Sequence, residues 1–247
     1  ETAKELGVVQ PLLIRVSDSD SDMYSGQIGG FHTSELADLL DKIDRLDHVK
    51  TGGITVFPAF LYDSDKQKIV PTANVKVLQR ACQILDDHGL SGYCINVPSA
   101  NCCASMELAA QYGNNVEPGH GLTGTTPLHA VSDQPEKVGY VYVSEISHNY
   151  NDKAYCYAGG HYRRGHMENA LTGNNAQDAV WTKVQAPDMD SIDYHYELSQ
   201  NFKVGQTVVM CYRTQVFTTR SNVAVVSGLS KGKPRLEGLY TSLGEKL

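Results

Sequence analysis

The sequence of 247 residues contains no apolar run long enough to cross a membrane and no recognisable signal peptide. A membrane-spanning helix needs about 20 consecutive apolar residues. Basic residues are also few: the sequence has 21 lysines and arginines and 28 aspartates and glutamates, which gives a formal net charge of −7. With no basic stripe and no basic residues interleaved with aromatics, we expect neither nucleic acid nor a membrane as a partner.

The six cysteines form neither a C-x-x-C pair nor the spacing of a zinc finger. Cys102 and Cys103 are adjacent, which suits a disulfide framework poorly. We therefore expect a protein of the reducing cytoplasm. Its length can bury a full core as one large domain or as two smaller ones.

The first part of the chain alternates short apolar strands with amphipathic helices. Strands are predicted at 12–16, 53–57, 93–97 and 115–117, and helices at 34–46, 75–85 and 104–112. Such alternation predicts parallel strands joined by right-handed crossovers. Four such units make half of an eight-stranded barrel. We therefore expect an α/β fold, the C-terminal half of a (β/α)8 barrel, whose first half is missing before Glu1.

After about residue 133 the pattern changes to alternating apolar and polar residues. The clearest runs are 138–143, 203–211 and 222–226, with turn residues between them. This pattern predicts an antiparallel β domain. We expect residues 1–132 to form the half barrel and residues 133–247 to form the β domain.

The turn after the fourth predicted strand combines a carboxylate with closely spaced glycines. Glu117 ends the strand, and Gly119, Gly121 and Gly124 surround His120. Glycines let backbone N–H groups approach an anion closely, and a carboxylate at a strand end can pair with a cationic ring nitrogen. One turn that serves both a phosphate and a pyridinium suggests pyridoxal phosphate. The alternative is an ordinary glycine turn with a surface glutamate.

Four segments give the chain its resemblance to the alanine-racemase-like (fold type III) pyridoxal-phosphate enzymes. They are PSANC at 98–102, VEPGH at 116–120, GGHYRRGH at 159–166 and CYRTQ at 211–215. Within that superfamily, essentially the whole chain looks most like the bacterial YhfX-type proteins, which are usually labelled amino-acid racemase-like. The resemblance implies a (β/α)8 barrel with a C-terminal β domain, a head-to-tail homodimer, and a Schiff-base lysine on a strand that would precede Glu1.

The resemblance also implies cofactor contacts in the glycine turn. Glu117 would pair with the pyridine nitrogen and keep it protonated. The decarboxylase branch has a glutamate here, whereas alanine racemases have an arginine. Gly119 and His120 would offer backbone N–H groups to the phosphate, and His120 replaces an arginine of the decarboxylases.

Further cofactor contacts are expected from the neighbouring strand ends. Ser99, Asn101 and Cys102 would lie on the phosphate side, or would form a turn that caps the next helix. Phe57 would stack on the cofactor ring, with Val56 as a second apolar candidate and plain core packing as the alternative. Gln27 lies near the position of the racemase arginine that contacts the phenolic oxygen.

A racemase needs a base on each face of the Cα that it deprotonates. The resemblance brings a tyrosine of the β domain to the partner subunit, so Tyr157, His161 and Tyr162 are the candidates for the second base, against ordinary packing of tyrosines. Arg163 and Arg164 would bind the substrate carboxylate in a bidentate manner, or would form a solvated strand edge.

An acidic loop at Asp18, Asp20 and Asp22 resembles a calcium loop only in part. The glycine and glutamate that an EF-hand needs are replaced by Met23 and Gly29. We expect a solvated loop there, and no metal site in the chain. The segment from Cys211 to Thr218 has no histidine to match the zinc pair of the dehydratase branch.

The sequence therefore predicts a pyridoxal-phosphate-dependent amino-acid racemase, which acts at Cα of a small amino acid through an aldimine. One alternative is a lyase with the same cofactor, of decarboxylase, aldolase or dehydratase type, which Glu117 favours. The other is a cofactor-binding fragment that is inactive without the upstream lysine.

Overall fold

The computed structural model describes residues 1–158, 167–185, 188, 192, 194–211 and 221–247. The chain divides into two compact units. The first unit contains residues 1–123 and 133–137, and the second contains residues 124–132 and 138–247. The identification of these units with half of a (β/α)8 barrel and with a C-terminal domain that begins at residue 133 stays a prediction.

The first unit is built on three parallel strands in the order β1, β2, β5. Its strands are β1 (Gln10–Arg15), β2 (Val49–Thr55), β3 (Phe60–Asp63), β4 (Lys68–Pro71) and β5 (Cys94–Asn96), and its helices are α1 (Thr2–Glu5), α2 (Leu36–Asp44), α3 (Asn74–Asp87), α4 (Met106–Ala109) and α5 (Gly119–Thr123). Strands β3 and β4 form an antiparallel hairpin that sequence analysis did not predict.

One face of the three-stranded sheet is buried against helices. Ile14 and Val16 of the first strand segment share a core with Ile54 and Val56 of the second. Apolar residues of α2 and α3 at three- and four-residue steps belong to the same core, namely Leu36, Leu40, Ile43, Leu78, Ala81 and Leu85. Because side chains alternate along a strand, the residues between these aliphatic ones face the opposite side of the sheet.

The fourth predicted strand is a single parallel bridge between Asn96 and Asn115. A side chain occupies the edge of β5 instead, since the Asn114 Oδ1 accepts the Ile95 N–H at 2.8 Å. Past the bridge, the two groups that would continue the ladder both bind Asn101, because its Nδ2 donates to the Val97 carbonyl at 3.0 Å and its Oδ1 accepts the Glu117 N–H at 3.1 Å. The helix predicted at 104–112 is likewise reduced to a 3-10 turn, Cys103–Ser105, followed by α4.

The second unit contains a closed six-stranded antiparallel barrel with the strand order β10, β7, β6, β11, β8, β9. Its strands are β6 (Tyr142–Tyr150), β7 (Lys153–Tyr157), β8 (Asn169–Gly173), β9 (Val180–Gln185), β10 (His195–Leu198) and β11 (Thr207–Met210), and a separate hairpin joins β12 (Val223–Ser227) to β13 (Arg235–Tyr240). Closure leaves the barrel without edge strands. The chain is thus a mixed α/β protein with a β-barrel domain.

Alternate residues of the barrel strands fill its interior. Ile146, Tyr196, Leu198, Val208 and Met210 are fully buried there. Cys156 belongs to the same core, and burial raises the pKa of its thiol to about 11. Among the residues that the structure describes, no helix has the length and apolar character that crossing a membrane requires.

The side chain of Asn74, at the start of α3, connects two loops that follow strands of the sheet. Its Oδ1 accepts the Asp22 N–H at 2.9 Å, and its Nδ2 donates to the carbonyls of Asp22 and Pro58, each at 2.8 Å. Asn74 is buried. Three backbone groups of two loops therefore bind one buried amide.

We predict that Asn74→Ala lowers the free energy of unfolding of the first unit by about 2–3 kcal/mol, because it removes three hydrogen bonds and leaves the N–H and carbonyl of Asp22 without this partner. Lys76→Ala, an exposed position on the same helix, is the control and is expected to stay within about 0.5 kcal/mol of the unaltered protein. Urea unfolding followed by circular dichroism at 222 nm measures both. Equal midpoints for the two variants would contradict the role given to Asn74.

Candidate functional site

Four residues form a row across the face of the sheet that is opposite the hydrophobic core. Arg15 pairs in register with Thr55, Thr55 with Asn96, and Asn96 with Asn115. Each lies at or near the carboxyl end of its strand segment. We call these four residues the polar row. Sequence analysis missed Arg15, Thr55 and Asn96 as site residues.

Asn96 is the centre of the polar row and fixes the carboxylate of Glu117. The fully buried Asn96 donates through Nδ2 to Thr55 Oγ1 at 3.0 Å and to Glu117 Oε1 at 2.7 Å. Asn115 Nδ2 donates to Asn96 Oδ1 at 2.8 Å. Glu117 itself is exposed, so its carboxylate is oriented by the protein and still open to a ligand.

Asn101 joins the loop after β5 to the segment that carries Glu117. Its Nδ2 donates to the Val97 carbonyl at 3.0 Å, and its Oδ1 accepts the Glu117 N–H at 3.1 Å. Asn101 is buried. We predicted a direct phosphate contact for this amide, but the structure gives it a supporting role, because both of its polar atoms bind backbone groups.

The two predicted phosphate-side segments, 98–102 and 117–121, also meet at a glycine. A Cβ built on Gly121 would lie 2.6 Å from the Asn101 carbonyl oxygen, whereas one built on Gly119 would meet nothing within 4 Å. Gly121 therefore permits the close approach of the two segments. Gly119 borders open space, as the neighbour of an anion would.

Ser99 has two properties that fit an anion-binding residue. Its backbone φ of +83°, followed by +52° at Ala100, lies in a region that side chains rarely adopt. Its Oγ is buried and has no hydrogen-bond partner among the described residues. A buried hydroxyl without an acceptor is costly, and an oxygen of a bound phosphate would satisfy it.

Cys102 and His120 are less directly placed for a cofactor. The Cys102 N–H donates to Ser105 Oγ at 3.0 Å where the 3-10 turn begins, so Cys102 and Ser105 cap this turn. Burial raises the pKa of the Cys102 thiol, so this residue is a poor nucleophile. His120 is buried within α5, and its predicted backbone contact to phosphate stays a prediction.

Phe57 follows β2 directly, whereas Gln27 lies in the long loop after β1. Phe57 is partly exposed and packs edge-on against Tyr24, with ring centroids 5.7 Å apart. Val56 is fully buried in the core, so the interpretation that it packs on the cofactor is wrong. Gln27 is exposed, and it is its backbone carbonyl that accepts Arg15 Nη2 at 2.7 Å.

Arg15 is the cation of the polar row, although we assigned the corresponding contact to Gln27. Its Nε is buried without a hydrogen-bond partner among the residues that the structure describes. Strand alternation could have identified it, because Ile14 and Val16 on either side belong to the core. An arginine between two core residues must face the other side of the sheet.

In the second unit, Tyr157 ends β7 and is 50% exposed, with its backbone in register with His195 of β10. The other four candidates from this region, His161, Tyr162, Arg163 and Arg164, lie outside the described residues. Their predicted roles stay predictions.

The acidic loop is held in place by hydrogen bonds and ion pairs, so the expectation of a merely solvated loop is wrong. Asp18 accepts the Thr33 N–H at 2.9 Å and pairs with Arg80 Nη2 at 2.7 Å. Asp22 Oδ2 accepts the Ala73 N–H at 2.8 Å. Within the described part of the chain, no group of three or more His, Cys, Asp or Glu side chains is arranged to hold a metal.

Comparison with known proteins finds a family model and a similar, longer protein. Residues 141–236 match the YhfX-like C-terminal domain family. The chain is 42% identical to the protein YhfX of Escherichia coli K12 over 248 residues, which covers 99% of this chain and 64% of YhfX. The chain thus spans less than two thirds of the length of that relative.

Solved structures with some similarity include two alanine racemases. The enzyme from Corynebacterium glutamicum has a TM-score of 0.48 and 16% identity, with 84% of this chain and 58% of that chain covered. The enzyme from Oenococcus oeni has a TM-score of 0.36 and 13% identity, with 95% and 64% covered.

Asp18 makes the stability of the first unit depend on pH. Partial burial opposes ionisation, but hydrogen bonds from Thr33 and Arg80 hold the pKa of the Asp18 carboxyl below its ordinary value. Its stabilisation is therefore fully present above the unfolded pKa of about 3.9 and is lost as the pH falls through the folded value.

We predict that Asp18→Ala costs about 1–3 kcal/mol of unfolding free energy at pH 7 and that this difference shrinks toward acid pH. Asp20→Ala is the matched control, because the exposed Asp20 pairs with the same Arg80 at 3.1 Å and an exposed pair contributes under about 1 kcal/mol. Urea titrations at pH 7 and pH 3 measure both. A loss for Asp18→Ala that does not change with pH would contradict the assignment.

The junction at Gly121 gives a second prediction. Gly121→Ala is expected to cost about 1–3 kcal/mol, because its methyl group would collide with the Asn101 carbonyl, whereas Gly119→Ala has free space. Hydrogen exchange of peptides that span residues 96–123 measures the local effect. Equal protection in the two variants would show that the segments do not meet here.

Proposed function

The chain is a YhfX-like protein, and from that premise we propose that the complete protein is a pyridoxal-phosphate-dependent enzyme that moves a proton at Cα of an amino acid. Racemisation is the reaction that we propose. The proposal concerns the complete protein, because the chain spans 64% of the length of YhfX. It includes completion of the half barrel by an upstream segment and assembly as a homodimer.

The observation that carries the proposal is the orientation of Glu117. Asn96 holds its carboxylate and Asn101 holds its backbone. Two buried amides are more than a surface glutamate requires. Pyridoxal phosphate, when bound, withdraws electrons from Cα, and a carboxylate at its ring nitrogen favours the protonated ring that does this best. Glu117 is the residue that we assign to that nitrogen.

The remaining residues fit an anionic ligand around the same carboxylate. Ser99 offers a hydroxyl that lacks an acceptor among the described residues, and Gly119 borders open space. We propose that these two, with the backbone of His120, hold the phosphate, and that Arg15 donates to the ring oxygen. Phe57, which is partly exposed at the end of β2, would cover a face of the ring.

The second base belongs to the other unit in this proposal. Tyr157 is half exposed at the end of a barrel strand, and we propose that its phenol reaches a ligand of another subunit. It would deliver a proton to Cα, or remove one, on the face opposite the upstream lysine. Arg163 and Arg164 stay the proposed carboxylate contacts.

A lyase is the second candidate, and Glu117 favours it, because the resemblance places a glutamate at this position in the decarboxylase branch. The same residues would bind the cofactor. The lyase and the racemase break different bonds to Cα, so their products distinguish the two reactions.

The test uses the complete protein with pyridoxal phosphate and a panel of L- and D-amino acids in D2O. We expect exchange of the Cα proton together with loss of chirality. Glu117→Gln should reduce exchange on the order of 100-fold, with cofactor uptake retained in the absorption spectrum. Glu107→Gln, at an exposed position of α4, is the control and should change neither.

Three results would each contradict one part of the proposal. Absence of cofactor uptake would refute the cofactor assignment, and a product that has lost carbon dioxide or an aldehyde would favour the lyase. Equal activity of Glu117→Gln and Glu107→Gln would remove Glu117 from the site.

A further inference from the structure

Four rings form a continuous cluster on the outside of the barrel. Tyr155 and Tyr157 lie on β7, His195 lies opposite Tyr157 on β10, and His148 lies opposite Tyr155 on β6. The residues between them, Ala154, Cys156 and Tyr196, are buried in the barrel core. The four rings therefore point away from that core. We call them the ring cluster.

The rings contact one another in sequence across three strands. His148 stacks on Tyr155 with centroids 4.7 Å apart and planes 4° apart. His148 meets His195 edge-on at 5.2 Å, and His195 lies 5.6 Å from Tyr157. Strand β7 lies between β6 and β10, so the two histidines meet above it, next to the ring of Tyr157.

The far end of the ring cluster is anchored. Tyr155 donates its hydroxyl to Glu197 Oε2 at 3.0 Å, and Glu197 also pairs with Lys153. Ser147 Oγ bonds His148 Nδ1 at 2.9 Å. A tyrosine at the end of a strand is free to rotate unless something packs against it, and in this barrel the imidazole of His195 does so.

We propose that His195 is a positioning residue for Tyr157, the imidazole setting the direction of the phenol and, through its charge, the ease with which the phenol exchanges a proton. This inference rests on the proposed function for the role of Tyr157. The proton balance is simple. Tyr157 gives its hydroxyl proton to Cα and becomes a phenolate, or the phenolate takes a proton from Cα. His195 transfers no proton: at neutral pH it acts through its position, and in acid its charge acts as well.

The charge state of His195 follows from its neighbours. Burial, and then the like charge of His148, lower the pKa of the imidazole below its ordinary value. Among the described residues, the titratable groups that face it are His148 from β6, Tyr155 and Tyr157 from β7, and Glu197, with its partner Lys153, further along the same face. Within the described residues, strand β9 pairs with β10 at Glu197 and Leu198 and brings Gln185 and Val184 there, neither of them charged. At neutral pH His195 is therefore uncharged and gains its charge only in acid.

The first experiment needs no catalytic activity. We follow the imidazole resonances of the purified chain by NMR between pH 4 and pH 8 and look for proximity signals between His195 and Tyr157. His195 should titrate below an ordinary histidine, and in His148→Gln its midpoint should move upward. An unchanged midpoint in that variant, or absence of the proximity signal, would overturn the proposed cluster.

The second experiment uses the complete enzyme. In His195→Gln we expect kcat for Cα exchange to fall on the order of 10-fold, because a misdirected phenol is a poorer proton donor, while KM stays unchanged. The inflection that His195 contributes to the pH profile should disappear in His195→Gln and shift to higher pH in His148→Gln. His48→Gln, in the first unit, is the control and should retain the original profile.

The outcomes separate this inference from the proposed function. One outcome is that the NMR results agree with the ring cluster while neither the unaltered protein nor any variant exchanges a Cα proton. In that case the proposed function fails, and the positioning role of His195 in catalysis fails with it. If the unaltered enzyme is active and His195→Gln keeps its kcat and its pH profile, the positioning role is refuted. Melting curves of each variant distinguish a loss of kcat from a loss of fold. We expect unchanged melting temperatures, because the substituted side chains point away from the barrel core.

Discussion

Two buried amides, Asn96 and Asn101, hold the segment on which the candidate site depends. That segment has a single bridge to the sheet rather than a strand ladder. Backbone hydrogen bonds join Asn115 to Ile95 and Val97, and beyond them side chains bind the carboxylate of Glu117 and its backbone N–H. A hydrogen bond between buried groups is worth little net free energy while it is formed, but it is costly to remove. The amides thus specify a geometry more than they add stability.

Each unit separates its core from its chemistry in the same way. In the sheet, the aliphatic residues face the helices and the polar row faces the other side. In the barrel, the aliphatic residues fill the interior and the ring cluster faces out. Because strand residues alternate between two faces, the same strands carry core residues on one face and candidate site residues on the other. A substitution on the site face therefore leaves the aliphatic side chains of the core in place.

Local patterns in the sequence were sufficient to name the turn at Glu117 and the loop at Ser99 as candidate site segments. Glycine spacing and a Pro-Ser-Ala-Asn turn are properties of residues that are neighbours along the chain. Local patterns did not identify Arg15, Thr55 and Asn96 as candidate site residues. These residues lie in three separate strands, and only the parallel register aligns them. The strand predicted at 115–117 is only one bridge long, because the Asn101 side chain binds the Val97 carbonyl and the Glu117 N–H that would continue the ladder.

By itself the sequence determined the change from alternating helices and strands to a β domain, since hydrophobic periodicity reflects which residues must be buried. It also determined the resemblance that identifies the chain as YhfX-like. Only the tertiary structure decided that Asn101 binds the backbone of Val97 and Glu117, that Arg15 lies in the polar row and binds the Gln27 carbonyl, and that His148 and His195 meet beside Tyr157. The physical reason is that these contacts join residues far apart in the chain, and their distances depend on strand register and barrel closure, which no local pattern encodes.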